Sequence, residues 1–124
     1  MPYVTITTTS SLNNVQKKQL IEKSSDAIVQ VLGSALPSVR VMLHELPEGH
    51  YMDGGQWDAP GILFNVDMIE GRTEEQKAEL LAAFGKLANE ITGYSQDQIH
   101  GILHDILKTN IRVKGGLTAK QAGR

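Results

Sequence analysis

Cysteine is missing from this chain, and with it go disulfide cross-links and every thiol-based chemistry. An excess of one charge is also missing. Lysine and arginine total 12 against 14 acidic residues, a formal net charge of −2, so no basic footprint argues for nucleic acid. No apolar run approaches the roughly 20 residues that a membrane-spanning helix needs. The opening residues have neither the basic nor the apolar segment of a secretory signal. Together these absences lead us to expect a soluble cytoplasmic protein that works without a membrane. Its 124 residues, 40 % hydrophobic and 21 % charged, suit one ordinary domain, 1–124, with a real core.

What the chain has instead is repetition. A shift of 60 positions lays Asn13-Asn14-Val15-Gln16-Lys17 over Thr73-Glu74-Glu75-Gln76-Lys77, and Leu20-Ile21 over Leu80-Leu81. Gly33 falls on Gly93, and Val39, Leu43, His44 and Glu45 fall on Ile99, Leu103, His104 and Asp105. So many matches without a gap indicate two fused copies of one unit, about 2–55 and 62–116, joined by a linker at about 56–61.

Each unit is expected to run strand, helix, strand. Residues 3–9 alternate Val4 and Ile6 with Thr5 and Thr7, the period of two of a β-strand. Residues 62–69 open the second unit with a more apolar strand. Asn13 and Thr73 are good N-caps with glutamine three residues on, as a capping box requires. Leu20, Ile21, Ala27, Ile28, Val31 and Leu32 make one apolar stripe, and Leu80, Leu81, Phe84, Leu87, Ala88 and Ile91 a second. Gly33 and Gly93 are placed to stop the helices in the left-handed conformation. Closing strands are expected at about 38–46 and 98–107, parallel to their openers through right-handed crossovers. The fold class is then α+β, two tandem β-α-β units forming a four-stranded sheet with both helices on one face. The other face calls for a cover, and another chain would supply it. Gly54-Gly55 predicts a tight hairpin, and 112–124 a short strand followed by a frayed tail.

Pro2 stands behind Met1, and once methionine is trimmed a proline leaves a secondary amine, as no other residue does. Alone that means little. In context it means more, because a β-α-β unit starting at Pro2 and carrying "PSVRVMLHELPEGHYMDGG" resembles the 4-oxalocrotonate tautomerase family. The second unit resembles it through "IEGRTEEQK". The likeness covers nearly the whole chain, once per unit, and is best to the fused form of the tautomerase superfamily. It implies a homotrimer, no cofactor and no metal, and keto–enol tautomerisation of a 2-oxo acid such as a 2-hydroxymuconate or phenylenolpyruvate enol.

The resemblance implies Pro2 as the catalytic base, with Arg40 and Arg72 binding substrate. These residues are split between the units. Position 62 is Ile62, with no free amine; the counterpart of Arg40 is His100; the counterpart of Arg72 is Leu12. A working site would therefore combine Pro2 and Arg40 with Arg72 from the other unit, within one chain or between neighbours. An ordinary α-amine titrates at about 7.7–8.0, whereas a general base works best with a pKa near the working pH. Nearby guanidinium groups and an apolar pocket would both lower it. The same guanidiniums can hold a carboxylate and an enolate oxygen through their planar forks.

Tyr51 falls where the family has an aromatic or apolar pocket wall, although a hairpin tyrosine is also plain packing. His100 is read as the degenerate counterpart of Arg40, lining the pocket. His100 and His104 share a strand face, but a metal needs further ligands with support behind them. Hydrolytic dehalogenases of 3-haloacrylates resemble this chain too, but carry arginine where Ile69 stands. A decarboxylase relative carries arginine where Glu70 stands. A non-catalytic trimer would have no use for Pro2, Arg40 and Arg72 together.

Overall fold

Local chemistry sets each unit. The computed structural model describes residues 2–124; Met1 lies outside them. The first unit runs through β1 (Tyr3–Thr8), α1 (Asn14–Leu32) and β2 (Arg40–Glu45), then a small hairpin of β3 (Met52–Asp53) and β4 (Gln56–Trp57). The second has β5 (Ile62–Ile69), α2 (Glu74–Thr92) and β6 (Ile99–Ile106). Both helices begin with a complete capping box. The Asn13 side chain accepts from the Gln16 N–H at 2.9 Å while the Gln16 side chain accepts from the Asn13 N–H at 3.0 Å. Thr73 and Gln76 exchange the same pair at 3.1 and 3.0 Å. Such reciprocal bonds satisfy two N–H groups that the first helical turn leaves without partners. Gly33 and Gly93 end the helices at φ 67° and 77°, where any side chain would be strained. The repeat reaches the ion pairs as well: Lys17 meets Glu45, and Lys77 meets Asp105 at 2.6 Å.

The sheet order is β2-β1-β5-β6. Strands are parallel within a unit, and the units meet antiparallel through β1 and β5, with Val4 opposite Val66 and Ile6 opposite Phe64. Even-numbered positions of these central strands point to the helices. Val4, Ile6, Phe64, Val66 and Met68 are fully buried there with Leu20, Ile28 and Leu80. Each such side chain contributes roughly 1.5–3 kcal/mol through removal from water. Phe64 and Phe84 stack with ring centroids 4.5 Å apart, joining the sheet to α2 across the core.

Two expectations need correction. The face away from the helices is mixed rather than apolar: Met42, Thr5, Asn65 and Ile102 form one row across all four strands. Strict alternation along half-buried strands produces this. Met42 and Ile102, sixty residues apart, remain 45 % and 47 % exposed. The C-terminal segment, in turn, is not a frayed tail. It contains a bridge between Arg112 and Thr118 rather than a strand, closed by backbone bonds from Val113 N to Leu117 O and from Ala119 N to Ile111 O. Ile111, Val113 and Ala119 are buried against Tyr3, Ile69 and Ile106 as a second small core. Apolar residues spaced along 111–119 hold this segment down, and its high content of small and basic residues conceals them.

Candidate active site

Pro2 sits at the head of the central strand β1, its ring buried, and its carbonyl accepts a bond from the Arg40 N–H at 3.2 Å. Because β1 and β5 are antiparallel, the end of β5 reaches the same edge of the sheet as Pro2. Arg72 follows three residues after Ile69. The helix α1 runs back to this edge as well, and its last residue supplies the contact that positions Arg72: Nη1 donates to the Leu32 carbonyl at 3.2 Å. No basic residue lies in the last turn of α1, so Arg72, from the other unit, is the cation at that helix C-terminus. A positive charge is favourable there. Arg72 is half-buried, and its Nε–H is buried with no acceptor. A buried donor without an acceptor is costly, and an arriving anionic oxygen would satisfy it.

Arg40 opens β2 beside Tyr3. It is exposed, and Nη1 donates to the Pro37 carbonyl at 2.7 Å. It lines an open groove of about 230 Å³ with Pro37, Ser38 and Lys114. Pro2, Arg40 and Arg72 thus come from three segments to one end of the sheet.

Tyr51 and His100 lie at the other end. His100 pairs with Leu63, which pairs with Thr7. That is four residues along β1 from Tyr3 and two strands across, roughly 13 Å and 10 Å by strand geometry. Tyr51 packs on Gly61, where a Cβ would stand 3.0 Å from the phenol oxygen. It borders a cavity of about 180 Å³ with Thr7, Leu46, Ile62 and Leu63. Burial, and secondarily the Asp53 carboxylate, raises the pKa of its hydroxyl above the ordinary value, so it stays a hydrogen-bond donor through neutral pH. The residues at this end differ from those at the Pro2 end. Ile62 replaces proline, Leu12 is buried in place of an arginine, and Tyr94 meets Ser11 hydroxyl to hydroxyl.

A model of the tautomerase enzyme family matches this chain twice, over residues 2–57 and 63–121. The chain belongs to that family. A 2-hydroxymuconate tautomerase of Pseudomonas putida is 39 % identical over 56 residues, which are 45 % of this chain and 89 % of that one. A 2-hydroxymuconate tautomerase of Bacillus subtilis is 30 % identical over the same length, 90 % of its own chain. These tautomerases are therefore about one unit long. Solved structures match the fused whole. The protein Pt0534, inactivated by 2-oxo-3-pentynoate, is 52 % identical with a TM-score of 0.96, over 98 % of this chain and 99 % of that one. A fused 4-OT solved as a symmetric trimer is 34 % identical with a TM-score of 0.94, over the same shares.

Within this tautomerase-family chain, the small core that contains Ile111 packs against Tyr3, the residue after Pro2, and against Ile69. Sequence reasoning missed it. The signal was present, since the 60-residue shift that pairs Arg40 with His100 also pairs Tyr51 with Ile111. Among the described residues no three His, Cys, Asp or Glu side chains come together as a metal site; His104 Nδ1 instead lies 3.4 Å from Asp67. What gathers at the Pro2 end is a proline, two guanidiniums and an apolar floor, a set suited to binding an anion and moving a proton.

Proposed function

We propose that this chain is a keto–enol tautomerase of 2-oxo acids, of the 2-hydroxymuconate or phenylenolpyruvate kind, with Pro2 as its general base. Removal of Met1 makes the Pro2 nitrogen a free secondary amine. That amine takes the proton of the enol hydroxyl, the enolate collapses to the ketone, and the same proton is returned to carbon. Nothing is gained or lost. Arg40 and Arg72 hold the carboxylate and the developing enolate, where fixed positive charge contributes most. The observation that carries this reading is the arrival of Arg72 at the Pro2 end with its Nε–H lacking an acceptor.

The relatives support the same chemistry. Pt0534 was inactivated by a 2-oxo acid whose conjugated alkyne is open to attack by a neutral amine. Ile69, where hydrolytic relatives would carry an arginine, is packed into the small core beside Ile106, which disfavours hydration chemistry. Three chains would form the working particle, as in the symmetric trimers of fused 4-OT, covering Met42 and Ile102. Ultraviolet assays of 2-hydroxymuconate and phenylenolpyruvate ketonisation test the reading directly. Pro2→Ala should retain the fold and lose about 10²–10⁴-fold in turnover, the usual size of a general-base contribution. Turnover equal to that of the parent would refute it.

A further inference from the structure

The groove beside Arg40 carries more charge than the proposed chemistry uses. Its lining includes two cations from separate segments, Arg40 and Lys114, and no acidic side chain. Like charges gathered around one cavity repel unless an anion joins them. Lys114 is the unexplained member. Among the described residues no carboxylate pairs with it. Nor does it hang on a loose loop. Val113 before it is buried in the small core, and Gly115 and Gly116 turn the chain directly after it at φ 93° and 83°. The turn is closed by the Gly116 N–H donating to the Val113 carbonyl at 3.0 Å.

The duplication supplies an internal control. Under the 60-residue shift the counterpart of Arg40 is His100, that of Lys114 is Gly54 and that of Pro37 is Asp97. The end of the chain that lacks the proline therefore lacks the cations too, and has an acid in their neighbourhood. Positive charge has collected at the Pro2 end through residues on separate segments. Arg40 arrives with β2, and Lys114 with the C-terminal turn.

We propose that Lys114 is a substrate-binding residue that works beside Arg40 and takes a second anionic group of the ligand, a carboxylate remote from the reacting enol that Arg40 and Arg72 hold. This rests on the tautomerase reading, and goes beyond it in assigning a second cation and its purpose. A point charge on a flexible stem suits a remote group whose position varies between ligands, while the planar fork of Arg40 suits the fixed reacting end. Binding a remote group equally in ground and transition states lowers KM more than it raises kcat.

The test compares 2-hydroxymuconate, with two carboxylates, and phenylenolpyruvate, with one. In Lys114→Ala the ratio of kcat/KM values, dicarboxylate over monocarboxylate, should fall about 10-fold, the lower end for one charge-assisted bond because the groove is open. The fall should appear in KM, shrink with added salt, and be largely restored in Lys114→Arg. An unchanged ratio, or equal increases in both KM values, would overturn the proposal, since a mere surface charge acts on both acids alike. Calorimetric titration with adipate, an unreactive dicarboxylate, separates this inference from the reaction. If neither enol turns over, the tautomerase reading fails. Adipate binding weakened by Lys114→Ala would still uphold the groove, and adipate binding indifferent to it, or absent, would sink it.

Discussion

Replacing Arg72 with alanine should damage stability and catalysis by separable amounts. In the folded chain its Nη1 donates to the Leu32 carbonyl at 3.2 Å, one hydrogen bond worth about 0.5–1.5 kcal/mol net. The same guanidinium sits at the C-terminus of α1, where a cation adds about 0.3–1 kcal/mol. Arg72→Ala should therefore lose about 1–2 kcal/mol of stability on these two counts, read as a lower urea midpoint at constant slope. Catalysis should suffer more. Losing one charge-assisted contact to a buried anion costs roughly 1.5–3 kcal/mol, or about 10–150-fold in kcat/KM. Arg72→Lys restores charge but not the fork, so it should recover part of the stability and less of the activity. Leu12→Ala and His100→Ala, at the counterpart positions of the two arginines, serve as controls, since their end of the chain has no free amine to assist. A stable Arg72→Ala chain with parental kcat/KM would refute the assignment. So would a loss of activity from His100→Ala as large as that from Arg40→Ala or Arg72→Ala.

Two further outcomes can be checked on the purified protein. Sedimentation at micromolar concentration should give a trimer, because a monomer would leave Met42 and Ile102 half exposed on a flat sheet face; a monomer there would count against the whole assembly. The Tyr51 hydroxyl has a raised folded pKa, from burial first and Asp53 second. Its contribution to stability is fully present below the unfolded value of about 10 and is lost as pH climbs through the folded value, because the unfolded chain ionises first. Tyr51→Phe removes that component, so its urea midpoint should fall less steeply than the parent's above about pH 10; parallel curves would contradict the shift.

Features that depend on nearby residues could be read before any coordinates. Asn13 with Gln16, Thr73 with Gln76, and the two stop glycines act within a few positions of themselves, and the strand alternation needs only its own period. The pairing of Lys17 with Glu45 and Lys77 with Asp105 follows once the repeat is seen. The arrangement of the site needed more. Whether Arg72 or Leu12 comes to Pro2 depends on β1 and β5 lying antiparallel, and that is a property of two strands 60 residues apart. Tyr51 lies by Thr7, Thr8 and Gly61, at the end of β1 away from Pro2, while the small core that contains Ile111 packs on Tyr3. The folded C-terminal segment was hidden for a different reason. Its core is three small or medium side chains spread over nine positions, too sparse to show a period.

The junction between the units has a consequence for how such a chain can be altered. Gly61 is tied to the end of β1 by two bonds: its N–H donates to Thr9 Oγ1 and its carbonyl accepts from the Thr9 N–H, both at 3.2 Å. The peptide that precedes Ile62 is thus a stitch in the sheet rather than slack. No set of side-chain substitutions can give the second unit an N-terminal secondary amine like that of a trimmed Pro2, since that would require breaking the chain at this stitch. On the proposed mechanism the Ile62 end is released from the demands of the reaction. The exposed His100 then stands as a site where an engineer could change shape and polarity, or attach a label, and leave the proposed chemistry at the opposite end in place.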